Sequence, residues 1–276
     1  MTFVIVSANQ DWATQEMVAD AVLLAGCTSN GMSGIYLLSL RYNAPADSFT
    51  TAPGQVNTLI AHSIHNVSQT GNGTTLEVRA GYMGLCVGQV EQALDEVRVC
   101  SSSAKTLAKF ISAETKTVTH GISSIETTPD PLNLIMVAEE FRQKIVFDGF
   151  IYLTIVVCLV AFVLLSTFPA WHEERDEDGS VVEVKPFPSR PVTQAIAIAL
   201  VVGFGLGLVS ILWQHINSSS TASMAETLTY GAVSGHVGAG AMALGWVAIG
   251  IIGVVGLGIV AMIMSISLIR LSTDDD

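Results

Sequence analysis

Four cysteines are the residues of this 276-residue chain best placed to do covalent chemistry. Cys158 lies inside a long apolar run and cannot reach the others. Cys27, Cys86 and Cys100 fall in the more polar first half, an odd number. Cys86 and Cys100 are close in sequence and flank one turn-like unit. A disulfide between them would close a short loop and stabilise by about 3 kcal/mol on the chain-entropy estimate. The alternative is a pair of free thiols, which an oxidising exterior disfavours. Cys27 is then unpaired, or bonded to a partner. His62, His65 and His120 share this half but stand near no nucleophile motif. His62 and His65 are three apart on what reads as a strand, so they point to opposite faces, wrong for shared metal ligation. Asp176-Glu-Asp-Gly lacks the calcium-loop pattern. No catalytic constellation, metal site or cofactor is expected, and the chain does not read as an enzyme.

The elements that must position these residues are membrane spans. Half of the residues are hydrophobic and only 13% are charged, against about 25% in typical soluble domains. A net charge of −12 argues against a nucleic-acid partner, which needs a basic face. No charge falls between Gly149 and Trp171, between Pro191 and Ala225, or between Thr227 and Ile269. Crossing a bilayer core takes roughly 20 helical residues. The run from Gly149 to Phe168 satisfies this and is apolar on every side, unlike a soluble helix. Pro169 marks its exit and Trp171 suits the interface. Two more runs, Thr193 to Trp213 and Ala241 to Ile269, do the same. Away from their ends only Thr154, Cys158, Ser210, Ser265 and Ser267 interrupt them, and no ionisable group does, so the chain alone is not expected to form an ion path.

Small residues recur every fourth position in the second run: Ala195, Ala199, Gly203 and Gly207. Ala241, Gly245, Gly253 and Ala261 share a similar face in the third. Such stripes let helix backbones approach. The plain reading is packing within one bundle; the sharper one is a seam between copies.

Sidedness follows from basic residues. Arg175, Lys185 and Arg190 lie in the first linker and Arg270 after the last span, four in all, against Arg142 and Lys144 before the first. The positive-inside rule therefore puts the linker and the C-terminus in the cytosol. The glycosylation triplets at Asn66, Asn72 and Asn217 all fall on the side this makes external. The expected order is an external domain over 1–145, spans over 146–170, 192–214 and 240–269, a solvated cytosolic loop over 171–191, an external loop over 215–239 and a tail over 270–276.

Within the external domain, Gly34 to Tyr42 reads as a strand, Thr74 to Ala80 as a second and Val56 to His62 as a third. Ser101 to Ile111 reads as a helix. Asp130-Pro131 is a cap and first-turn pair for another, running on through Ala138 toward the membrane. Ala21 to Leu40 reads as loop and strand.

Gly81-Tyr82-Met83-Gly84-Leu85-Cys86, followed after thirteen intervening residues by Cys100, resembles a known external-loop signature. It is that of the fungal family of mating-fusion and low-affinity calcium-influx regulators, which are induced by mating pheromone. Ala25-Gly-Cys27, Ile35-Tyr-Leu-Leu-Ser-Leu40, Trp171-His-Glu-Glu, Lys185-Pro-Phe-Pro-Ser-Arg190 and Leu212-Trp-Gln-His215 fit the same family, so the resemblance covers residues 25–270. The signature is similar in turn to the claudin loop motif, whose two cysteines bond on a small sheet above four helices. The resemblance implies an α-helical membrane bundle with a claudin-like external β-sheet loop. It also implies a span just before Cys27, where this chain instead reads Asn9-Gln-Asp-Trp-Ala-Thr-Gln-Glu-Met-Val-Ala-Asp20. Three spans are visible, and the expectation is that the intact protein carries another at its start. By analogy Gly81 and Gly84 allow a tight backbone where sheet meets bundle; otherwise they are ordinary turn glycines.

Two functions are in view. One is a plasma-membrane regulator of cell fusion in mating and of calcium influx. The other is a claudin-like adhesion or membrane-organising protein with no part in ion transport. The implied partners are the bilayer and other membrane proteins of the influx or fusion machinery, with a homo-oligomer as a further option.

Overall fold

A computed structural model describes residues 15, 17–43, 75–90, 98–118, 130, 132–166, 172–175, 181–184, 190–229 and 231–274. The expected strand at Val56 to His62, all three of His62, His65 and His120, and the triplets at Asn66 and Asn72 lie outside the described residues. The chain divides into two units. One comprises residues 1–20, 149–210 and 246–276, the other 21–148 and 211–245.

The second unit is built on a five-stranded antiparallel sheet in the order β4-β3-β2-β1-β7. Its strands are β1 (Leu38–Tyr42), β2 (Thr75–Ala80), β3 (Leu85–Val90), β4 (Arg98–Ser101) and β7 (Val233–Val237). Period-two alternation sorts the side chains. One face carries Leu38, Leu40, Leu76, Val78, Leu85, Val87 and Val233, all buried. The other carries Ser39, Glu77, Arg79, Cys86, Arg98 and Cys100, as the pairing register requires.

Helices precede and follow the strands in the chain, and the two after β4 pack on the sheet. Residues 17–24 form α1, followed by a single 3-10 turn at Asn30–Met32. Two more, α2 (Ala104–Val118) and α3 (Leu134–Lys144), follow β4. On α3 the buried residues are Leu134, Ile135, Ala138 and Phe141, the spacing of one helical face. The α3 start is fixed by Asp130, whose carboxylate accepts the N–H of Leu134 (2.8 Å) and Ile135 (3.1 Å). Tyr42 at the end of β1 donates to the same carboxylate at 2.6 Å and accepts from the Leu132 N–H at 2.9 Å. Burial and the Asp130 charge push the Tyr42 phenol well above its ordinary range, so it stays a neutral donor.

The first unit holds most of the three helices long and apolar enough to cross a membrane: α4 (Gly149–Ser166), α5 (Arg190–Leu228) and α6 (Ala239–Asp274). Cys158, Ala161 and Leu165 of α4 pack with Ile196 and Leu200 of α5 and with Ile252, Val255 and Ile259 of α6. Their remaining faces are also apolar and face outward: Val201 is 67% exposed and Leu257 71%. Outward aliphatic faces suit lipid, not water.

Four expectations change. The segment 215–239 is not a loop but helix through Leu228, then the edge strand β7. No Gly or Pro interrupts residues 208–230, so nothing stops the helix before Gly231, where φ is +78° and the N–H bonds the Glu226 carbonyl. The linker expected as a loop holds a hairpin, β5 (His172–Arg175) paired with β6 (Val181–Val184). Ala21 to Leu40 begins in α1, not in loop. The turn-like unit between Cys86 and Cys100 contains two strands, one of them interrupted in its pattern by Gly88.

Candidate functional site

The six-residue motif is the β2–β3 hairpin turn and the start of β3. The Gly81 N–H bonds the Gly84 carbonyl at 2.9 Å and closes the turn. Met83 at its tip is 41% exposed, whereas Tyr82, Leu85 and Cys86 are buried. One cross-strand row then runs Ser39, Arg79, Cys86, Cys100. Cys86 and Cys100 stand directly opposite each other, with Cα atoms 4.0 Å apart, and form a disulfide across fourteen positions of sequence. Replacing both by Ser should cost about 3 kcal/mol. Surface abundance measured by labelling intact cells should fall with it; abundance at the wild-type level would show the bond to be dispensable.

Both motif glycines are pressed against the chain at residues 26–28. A Cβ at Gly81 would run into the Gly26 carbonyl oxygen, and its carbon lies 2.8 Å away. A Cβ at Gly84 would overlap the Cys27 carbonyl and sit 2.9 Å from the Thr28 nitrogen. Cys27 itself holds a left-handed conformation (φ 59°), with its N–H bonded to the Met32 carbonyl at 3.1 Å. Its thiol is free, 0% exposed and directed at the Ile35 carbonyl, 3.6 Å away. Burial pushes this thiol up to about 12, so it remains protonated and unreactive. Cys27 is thus packed into the motif rather than offered to a partner. The Cys86 sulfur lies 3.6 Å from the Cys27 carbonyl oxygen, which brings all three together.

A buried ionic cluster borders the disulfide. Glu77 accepts from Arg79 (2.8 Å), Arg98 (3.4 Å) and the Ser39 hydroxyl (2.6 Å). Arg79 also donates to the Ser33 carbonyl at 3.1 Å and stacks 4.6 Å from the Tyr36 ring centre. From α3, Arg142 donates to the Met83 carbonyl (2.7 Å) and the Ser102 carbonyl (2.8 Å) and pairs with Glu139. It therefore ties the motif turn to the segment just after Cys100. None of Glu77, Arg79, Arg98 or Arg142 stood out as a site residue in the sequence. The one available signal was Glu77 and Arg79 two apart on a strand, hence on one face and within reach of each other.

The packing residues separate into two groups. Within the first unit a Cβ on Gly203 would lie 3.3 Å from the Cys158 sulfur, one on Gly207 3.5 Å from Ile249, and one on Gly253 3.2 Å from Phe204. Ala199 packs at the edge of that core. In the second unit a Cβ on Gly245 would collide with Ile211, and Ala241 is buried. Ala195 and Ala261, however, are exposed. A four-residue step advances about 400° on a 3.6-residue helix, so a stripe drifts about 40° per step. Ala195 and Gly207 are three steps apart and cannot share one face; the buried line passes through Ile196 and Leu200 instead. Asn217 lies on α5 with its side-chain amide donating to the Trp213 carbonyl at 2.8 Å.

Chemically this site holds shape. Its charges are paired, its free thiol is protonated, and among the described residues no three His, Cys, Asp or Glu side chains gather to hold a metal ion. A family model described as Fig1, Ca2+ regulator and membrane fusion protein, matches residues 61–265. No curated protein matches the chain.

Proposed function

The chain belongs to the Fig1 family of Ca2+ regulators and membrane fusion proteins, and on that premise we propose that it acts at the plasma membrane in fungal mating, promoting cell fusion and low-affinity calcium influx. The observation that carries this reading is the Gly81–Cys86 hairpin with its bond to Cys100, set on a sheet whose ionic face is internally satisfied. A surface so braced is suited to presenting a fixed shape to another protein, not to turning over a substrate. The family's description likewise names a regulator and no enzymatic activity.

We further infer that the sheet-bearing unit lies outside the cell, arranged in a claudin-like manner, and that the C-terminus is cytosolic. Disulfides persist in oxidising compartments, and the basic residues of the 172–190 linker support a cytosolic linker. In this account calcium entry is controlled through partner membrane proteins. Counting fused and unfused mating pairs in a strain lacking the protein tests the reading. Arrest at contact is expected; fusion at the normal frequency would overturn it.

A further inference from the structure

Two apolar runs of this chain end where hydrogen bonds join them. At about 1.5 Å per residue, α4 (Gly149–Ser166) is about 27 Å long and residues 193–213 of α5 about 31 Å, each close to the roughly 30 Å of a bilayer core. Counted separately, these lengths put the core boundary at Gly149 on one helix and at Trp213 on the other. The structure brings the two places together. The Trp213 indole N–H donates to the Ile145 carbonyl at 3.3 Å, and Gln214 Nε2 donates to the Phe147 carbonyl at 3.4 Å. All four residues belong to the sheet-bearing unit.

The exposed side chains at this level are apolar. Phe147 and Trp213 are half-exposed, and the indole N–H is already satisfied, so the ring has no donor left to seek water. On α5 the residues Val209, Leu212, Trp213 and Ile216 are exposed at the i, i+3, i+4, i+7 spacing of one helical face. The outward face of the span therefore runs on unbroken into the sheet-bearing unit. The next positions on that face are Ser219, Ser220 and Ser223, exposed and polar. The change from apolar to polar thus falls between Ile216 and Ser219, about 5–9 Å beyond Trp213. A bilayer of 40–45 Å with a core of about 30 Å leaves roughly 5–8 Å for the headgroup layer on each side. Aromatic side chains concentrate in that layer. The apolar band ends where the lipid ends, a height that a protein partner has no reason to respect.

We propose that Phe147, Leu212, Trp213 and Ile216 seat the sheet-bearing unit in the headgroup layer of the membrane that α4 and α5 cross. The unaltered chain in phosphatidylcholine nanodiscs tests this in two ways. Photolysis of a phospholipid carrying a diazirine beside its headgroup should leave lipid adducts on Phe147 and on residues 212–216. Met224 and Leu228, exposed further along the same helix, should carry none. Hydroxyl-radical labelling, which needs water at the side chain, should oxidise Met224 and spare Trp213. Adducts confined to the spans, or Trp213 oxidised as readily as Met224, overturn the proposal. So does a Trp213 that is spared yet carries no lipid, since a protein then covers it.

Discussion

Gly84→Ala is expected to disable the sheet-bearing unit. The added Cβ overlaps the Cys27 carbonyl and crowds the Thr28 nitrogen, both backbone groups. Neither has an easy retreat. Cys27 is held in a left-handed conformation by the Met32 carbonyl, and its thiol is seated against Ile35. On the far side the hairpin is fixed by the disulfide and by Arg142, which holds the Met83 carbonyl. Overpacking against a rigid neighbour costs about 1–3 kcal/mol, and backbone against backbone belongs at or above the top of that range. Folded domains hold only about 5–15 kcal/mol in reserve. Thermal unfolding of the purified variant and its abundance at the cell surface should both fall sharply. Gly31→Ala is the matched control, because nothing lies within 4 Å of a Cβ there. Equal stability of the two variants would mean that the Gly84 contact is not a constraint.

Glu77→Ala should cost about 3–5 kcal/mol, the range for removing one partner of a buried ion pair. Glu77 is the shared counter-charge of Arg79 and Arg98, and Arg98 is itself only 8% exposed. Without the carboxylate, two guanidinium groups are left close together in a poorly solvated space, and the Ser39 hydroxyl loses its acceptor. The loss should be read by thermal denaturation alongside Glu139→Ala. That change leaves Arg142 with its two carbonyl acceptors and should be much milder. A Glu77 variant as stable as the Glu139 variant would show that the cluster is solvated after all.

The spans were legible in the sequence because bilayer solvent demands an uninterrupted apolar length, and that demand shows in one dimension. Span ends were less so. The helix continues past Trp213 to Leu228 through polar residues whose helical state is set by the sheet it meets, through Gly235 and Ala222. Strand β2 is legible by its alternation, but alternation does not say that the Glu77 and Arg79 side is covered. They are enclosed because the chain around Ser33 and Tyr36 covers them, a long-range fact. Strand β3 hid behind Gly88, and β7 behind Gly235, a glycine that the helix packing against it requires. The role of Gly84 was accessible only by analogy, since its neighbour Cys27 is distant in sequence. Ala195 falls outside the buried line because a four-residue repeat drifts around a 3.6-residue helix.

We propose that this membrane protein promotes calcium entry through the shape its sheet-bearing unit presents. Pheromone-stimulated calcium uptake tests it most directly, measured in cells lacking the protein and in the same cells given either the wild-type chain or Gly84→Ala. Uptake should be lost on deletion, restored by the wild type and not restored by the variant. Undiminished uptake in the deletion cells would contradict it.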